Sequence, residues 1–393
     1  MAHHHHHHML HNTFFICETN QIMNEIEKAK GIILNRNMND IWSALLIEVK
    51  KSNLIIKSTD RNIFFESTIS IVSETDFKVL INASNFYDAV KAFNFYKKIK
   101  IVFNENNSKL EIMGELNDEK EEYEDHLKEP TFSYEEIENY NYDMVNEDYT
   151  FGIEIKQKSF KKVINRIAFS AHLDESKNVL NGVYFSKDED SKLLLVSTNG
   201  HRMSICKTEV IVEEDVNFIV PVKIFNFLKH LMSGEGMVKI KFSDKKFYVE
   251  FDNYKIACSL INGNYPDYKS IIPKEQKNKS LVSLGILKDR LARVNLYVDK
   301  SRKLVLTFSE LQLKLLGEDL ITGRKGEFFI KDPNYLYDGA DEVMAINISY
   351  FVEAISVFET SKIEIQFNSG NVLKLSEPEN FNFTHLIMPM SLG

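Results

Sequence analysis

Long apolar runs are missing from this sequence. No stretch approaches the roughly 18 apolar residues needed to cross a bilayer, and no signal-peptide pattern follows Met9, so the chain is expected to stay in the cytoplasm. The first eight residues, Met1 to His8, read as an expression tag ahead of a natural start at Met9, and the tag histidines carry no metal argument. Cysteine is scarce as well. Cys17, Cys206 and Cys258 lie far apart in apolar, strand-like sequence, which fits buried reduced thiols and not a disulfide framework or a C-x-x-C metal site. Also lacking are a phosphate loop of the G-x-x-x-x-G-K-[ST] type, a Gly-rich dinucleotide fingerprint, an H-E-x-x-H helix and a nucleophile elbow. Gly234-Glu235-Gly236 and Gly323–Gly326 are short loops, and no pair of acidic residues stands at a spacing that would hold two metals. A nuclease or nucleotidyltransferase reading therefore has no residues to rest on, and neither metal nor cofactor is expected.

Net positive charge is absent too. The balance of −9 at first argues against a nucleic-acid partner, because phosphate affinity comes from Lys and Arg. The excess of acid is local, however. From Glu115 to Asp148 the acidic residues face only Lys120 and Lys128, and the remainder of the chain is close to neutral with basic clusters.

What the sequence does contain is a threefold repeat. At 393 residues it is long enough for two to four domains. Six stretches carry apolar residues at helical spacing: Gln21–Ile33, Asn85–Phe95, Gln157–Phe169, Val222–Met232, Leu284–Leu296 and Ser349–Phe358. Taken in pairs, the second helix begins about 63–65 residues after the first each time, a regularity outside ordinary loop-length scatter. Between the helices of each pair lies a hairpin-like stretch: Ala44–Val49 with Leu54–Ser58, Gly182–Ser186 with Leu193–Ser197, and Leu304–Phe308 with Leu311–Leu316. Each unit returns to strands after its second helix, with alternation such as Lys239-Ile240-Lys241-Phe242 that leaves one apolar face for helices to cover. The expected fold is α+β, three repeated units of two helices and β-sheet. Boundaries follow as 9–144, 145–273 and 274–393, with an acidic excursion over about 115–144 that reads as a long mobile segment and linker.

The helices collect positive charge: Lys156, Lys158, Lys161, Lys162 and Arg166 around the third, Lys288, Arg290 and Arg293 on the fifth, Lys91, Lys97 and Lys98 on the second, Lys223 and Lys229 on the fourth. On one helix such a face is ordinarily a solvated surface. Recurring on helices of equal rank, it predicts a common basic lining that touches phosphates and reads no bases.

Three motifs go further. Leu180-Asn181-Gly182 followed by Ser197-Thr198-Asn199-Gly200-His201-Arg202-Met203, then Asn262-Gly263-Asn264-Tyr265-Pro266-Asp267-Tyr268, then the terminal Ile387-Met388-Pro389-Met390-Ser391-Leu392, together with the repeat, resemble the β subunit of bacterial DNA polymerase III, the sliding clamp. The resemblance runs from about Thr13 to Leu392. It implies three clamp domains per chain and a non-catalytic processivity factor. Two chains would meet head to tail in a six-domain ring around duplex DNA, with twelve helices facing the hole and sheets outside.

The resemblance also implies a groove between the second and third domains. There the polymerase III catalytic subunit, the clamp loader, other polymerases and repair proteins would insert short linear peptides. Its deeper part would use Leu180, Thr198, Gly200, His201, Arg202, Met203, Pro266, Ile271, Leu386 and Met388, and its shallower part Ile348, Pro389 and Met390. The Leu, Ile, Met and Pro side chains suit an apolar concavity, and methionines let one groove accept many sequences. For DNA it points to Arg36, the Lys177–Asn178 loop, Lys223 and Lys269, and for the dimer interface to Leu296 and Tyr297. This sequence departs from the family pattern at Asn199, where Asp is usual, at Ser391, where Arg is usual, at Asn178 and Val179, where aromatic or basic residues are common, and at Ser270, where a basic one is. The first unit shows no counterpart of the Tyr265-Pro266-Asp267 turn, so its side of the interface is not assigned. A repeat scaffold that ignores DNA is the competing reading, separated by whether the protein stays on closed circular DNA once loaded.

Overall fold

A computed structural model describes residues 13–117, 122–142 and 149–393. The tag, and the parts of the acidic segment at 118–121 and 143–148, lie outside the described residues. Seven helices are described: α1 (Thr19–Lys30), α2 (Ala83–Lys91), α3 (Tyr134–Asn139), α4 (Gln157–Ile167), α5 (Val222–Leu231), α6 (Leu284–Val294) and α7 (Ile348–Ile355). Apart from α3 these are the six helices the periodicity predicts, each shorter at its C-terminal end. Their pairs start 64, 65 and 64 residues apart, at 19 and 83, 157 and 222, 284 and 348.

Each helix exists because one face is apolar and finds a sheet or a neighbour to cover. In α1 the buried residues Ile22, Ile26 and Ala29 recur at helical spacing. The Asn82 side chain caps α2 by accepting from the Asn85 N–H. In the middle repeat Phe160 of α4 meets Phe225 of α5 edge-on, with ring centroids 6.3 Å apart. Both phenylalanines are fully buried, and removing either ring would cost about 3–5 kcal/mol.

The described chain forms two compact units, one holding the residues up to Gln157 with Leu231–Ser259, the other Lys158–His230 with Leu260–Gly393. These units cut across the repeats, and the strands say why. In the first unit an eight-stranded sheet joins the first repeat to the second, where Ile63–Ser70 pairs antiparallel with Tyr254–Ser259. In the second unit a nine-stranded sheet joins the second repeat to the third, where Arg202–Ile211 pairs antiparallel with Asn380–Ile387. Each unit carries one further sheet, of five and four strands respectively.

The acidic stretch is not a mere excursion. Glu122–Pro130 is the outermost strand of the five-stranded sheet, paired with Lys109–Asn117. Beyond it Tyr140 packs with Ala44, Leu46 and Leu80, and the Tyr142 hydroxyl donates to the Phe65 carbonyl at 2.8 Å. The weak periodicity of the segment hid where these tyrosines pack, and they supply the apolar area that charge alone would deny it. Tyr140 is also the missing counterpart of Tyr265. It lies against Leu46, the third residue of its strand, as Tyr265 stacks at 4.7 Å on Tyr184, the third residue of the equivalent strand.

All three cysteines are buried and free. Burial pushes the Cys206 thiol up to about 11, which keeps it protonated and unreactive.

Candidate partner-docking groove and nucleic-acid contacts

The groove residues gather in the second unit around one tight turn. Strand Lys192–Thr198 ends where the Thr198 hydroxyl donates to the Arg202 carbonyl at 2.6 Å, and the Gly200 N–H donates back to that hydroxyl at 3.1 Å. Asn199 accepts from the N–H groups of His201 and Arg202 at 2.9 and 3.1 Å. Gly200 sits at φ +91°, the left-handed region that glycine adopts without strain. The first repeat builds the same turn with an aspartate. Thr59 donates to the Ile63 carbonyl at 2.7 Å, and Asp60 accepts from Asn62 and Ile63 at 2.9 and 2.6 Å. Asn199 thus supplies the acceptor that Asp60 supplies, and its amide adds a donor toward the Tyr350 hydroxyl at 3.4 Å.

The C-terminal segment closes onto this turn. Arg202 and Met203 pair with Ile387 and Leu386, after which the Met388 N–H donates to the His201 carbonyl at 2.9 Å and the Met390 N–H to the Ala345 carbonyl at 2.7 Å. Met203, Leu386 and Tyr268 share a buried cluster against which Tyr184, Tyr265 and Ile272 pack. On the outer side the side chains of Met388 and Ile271 remain about 40% and 37% exposed, with Pro266, Gly200 and His201 also exposed and Leu180, Pro389 and Met390 half-buried. Ile348 and Leu386 are fully buried, so unlike the expectation they present no surface to a partner.

Arg202 is not a loose polar hook. Its guanidinium lies between the rings of Phe169 and Tyr350, at 5.3 and 4.5 Å, and pairs with Glu353 at 3.0 Å. A buried hydrogen-bond chain runs behind it, Ser170 to Ser204 at 2.6 Å and Ser204 to Nδ1 of His385 at 2.9 Å. Burial, with Arg202 nearby, holds His385 down to about 3, so the ring is neutral. Sequence reading missed this chain, because a serine in the 3-10 turn Ala168–Ser170 and a serine and a histidine on paired strands give no linear signal.

The basic helices are less available than their composition suggests. Arg166 is buried against Glu377 at 3.1 Å and over the Phe383 ring, and Lys162 pairs with Glu359 at 3.0 Å. On α6, Arg290 and Arg293 both engage Asp289. The residues assigned to DNA fare better: Arg36, Lys177, Asn178 and Lys269 are exposed, and Lys223 is half-buried. The Asn178 side chain donates to the Asn262 carbonyl at 3.3 Å, tying the Lys177–Asn178 loop to the loop before Tyr265. Leu296 is 68% exposed, and Tyr297 packs on Phe328 with Arg324 over its ring.

Three repeats of helices on sheet, joined through shared sheets, with Met388 and Ile271 exposed beside the last strand, define a clamp fold. Family models for the DNA polymerase III beta subunit match in chain order, the N-terminal domain over residues 13–141, the central domain over 154–267 and the C-terminal domain over 269–391. The chain belongs to this family, the bacterial β sliding clamps: it is an accessory processivity factor of DNA replication, without catalytic activity of its own. Among particular relatives, a solved structure of DNA polymerase III subunit beta from Borrelia burgdorferi in complex with a natural product is 99% identical, with a TM-score of 0.94 over 98% of this chain and 100% of that one. The beta sliding clamp of Treponema pallidum is 24% identical over 385 residues, covering 95% of this chain and 98% of its own. The DNA polymerase III subunit beta of Pseudomonas aeruginosa shares the fold at 18% identity, with a TM-score of 0.84 over 96% of this chain and 100% of that one.

Proposed function

We propose that two copies of this chain close head to tail around duplex DNA. Short linear peptides of the polymerase III catalytic subunit, the clamp loader, other polymerases and repair proteins would dock in the groove between the second and third repeats. The observation that carries the docking reading is the C-terminal segment, fixed by its hydrogen bonds to His201 and Ala345 while the Met388 side chain stays exposed. An apolar, methionine-bearing concavity on a rigid backbone suits a short segment that orders on binding. Leu180, Thr198, Gly200, His201, Arg202, Met203, Pro266, Ile271, Met388, Pro389 and Met390 shape it. The three repeats act as domains, and the cytoplasm, where replication takes place, is where the protein works.

Dimer closure is supported by two open sheet edges. Glu122–Pro130 ends the five-stranded sheet and Lys325–Lys331 ends the four-stranded one, so each has a strand neighbour on one side alone among the described residues. Leu296 and Tyr297 flank the second edge, where the Tyr297 ring packs beside Gly326. Joining unlike edges twice gives a closed two-fold ring. Arg36, Lys177, Asn178, Lys223 and Lys269 then contact phosphates without reading sequence. The test is loading onto nicked circular DNA followed by linearisation: the protein stays on the circle at high salt and leaves once an end exists. Equal retention on both forms would defeat the ring.

A further inference from the structure

Arg61 occupies the place in the first repeat that Gly200 holds in the second, at φ +77° against +91°. The left-handed region is disfavoured for any residue with a Cβ, so an arginine there does nothing for the turn. Its side chain has a defined place instead. The guanidinium lies 4.4 Å over the Trp42 ring. Trp42 is stacked on Tyr140 at 5.2 Å, and Tyr140 on Tyr142 at 6.4 Å. Lys57 lies over the Tyr142 ring at 5.2 Å. The result is a column of planar groups that ends in an exposed guanidinium.

Beside that end lies a cavity of about 220 Å³ lined by Leu34, Asn35, Trp42, Asp60 and Arg61. Leu34 is 67% exposed, an apolar side chain held out in a loop. The loop is braced: the Asn35 amide donates to Asp40 at 2.8 Å, and Asp40 accepts from the Trp42 N–H at 3.0 Å. Arg36, the next residue, is exposed.

We propose that this cavity binds one unpaired nucleobase of a DNA strand, stacked on the face of Arg61 and packed against Leu34, while the adjoining phosphate meets Arg36. The phosphate contact rests on the DNA role given to Arg36 above; the base site rests on the column and the cavity. A guanidinium is planar and weakly hydrated, and bases stack on it whatever their identity. Bases inside a duplex have no free face to offer, so the site separates single-stranded from double-stranded DNA. A peptide anchor fits less well, because the apolar lining is limited to Leu34 and Trp42 and the site is topped by a cation. The surface of the groove in the second unit, by contrast, is largely aliphatic.

Trp42 is the sole tryptophan of the chain, so its emission reports on this cavity directly. A short oligothymidylate is expected to change that emission saturably, and a relaxed, covalently closed duplex circle to leave it unchanged. Arg61→Gly suits the left-handed turn, so its melting temperature should move little while its affinity for the oligothymidylate falls about tenfold, the loss of one stacked base. Arg61→Lys keeps the charge and removes the plane, and should lose the response as well. Full affinity in Arg61→Gly, an undiminished response in Arg61→Lys, or an emission change caused by a Gln-Leu-x-Leu-Phe peptide in place of the oligothymidylate would each overturn the proposal. Arg36→Glu separates the two readings. If it leaves duplex binding intact while Arg61→Gly still weakens oligothymidylate binding about tenfold, the DNA role of Arg36 fails and the base site stands.

Discussion

Removing Met388 to Leu392 tests the docking groove with little damage to the fold. Strand Asn380–Ile387 ends before the deletion, so its pairing with Arg202–Ile211 survives. Two backbone hydrogen bonds disappear, Met388 to His201 and Met390 to Ala345. At about 0.5–1.5 kcal/mol each they amount to about 1–3 kcal/mol. For a unit of this size that lowers the melting temperature by about 10 °C at most. Binding should respond far more strongly. A Gln-Leu-x-Leu-Phe peptide is expected to bind the intact protein with roughly micromolar affinity, about 8 kcal/mol. Its Leu and Phe would lie against Leu180, Pro266, Ile271 and Met388, and its Gln near His201 and Met390. The truncated chain lacks one wall of that concavity, and a loss of about 3 kcal/mol would raise the dissociation constant about a hundredfold. Calorimetry measures the peptide, and ultracentrifugation checks that the dimer persists. Unchanged affinity in a folded, truncated dimer would show that docking occurs elsewhere.

Charged residues in place of both Leu296 and Tyr297 should give monomers in sedimentation, and a dimeric double variant would refute the interface. His385 bears on pH. Its folded-state value of about 3 lies below the ordinary histidine value, so the unfolded chain binds the extra proton between them. Stability is therefore complete above about pH 6.5 and falls by up to about 1.4 kcal/mol per unit as pH drops toward 3. His385→Gln should flatten that part of the wild-type curve, and denaturant titrations at pH 7, 5 and 4 that run parallel for both proteins would contradict it. Asn199→Asp reproduces the acceptor seen at Asp60, so stability should change by less than about 0.5 kcal/mol and peptide affinity by less than about threefold; a larger loss would mean that the Asn199 donor to Tyr350 matters.

The repeat was legible because helix spacing survives divergence. Ile22, Ile26 and Ala29 of α1, or Phe160, Val163, Ile164 and Ile167 of α4, mark a buried face whatever lies between them. The turn at Thr198–Arg202 was legible as a motif, and its hydrogen bonds explain why those residue types are needed. What could not be read was pairing between distant strands. Nothing local in Tyr254–Ser259 says that it will meet Ile63–Ser70, about 190 residues earlier. The fate of the basic residues was hidden for the same reason: Arg166 looks like a phosphate ligand until Glu377, 211 residues away, arrives beside it. The acidic segment misled in the other direction, since Tyr140 and Tyr142 are few against many carboxylates and yet decide where the backbone goes.

The strand pairing across the repeats has a mechanical consequence. Between the first and second repeats five residue pairs of the Ile63–Ser70 and Tyr254–Ser259 strands would have to separate before the chain could part, and between the second and third another five, from Arg202 with Ile387 to Cys206 with Phe383. Each junction inside a chain is thus riveted by main-chain bonds that break together or not at all. In the proposed ring of two such chains, the seams where one chain meets the other would lack these rivets. A few side chains there, Leu296 and Tyr297 foremost, would then govern how long the hoop remains threaded.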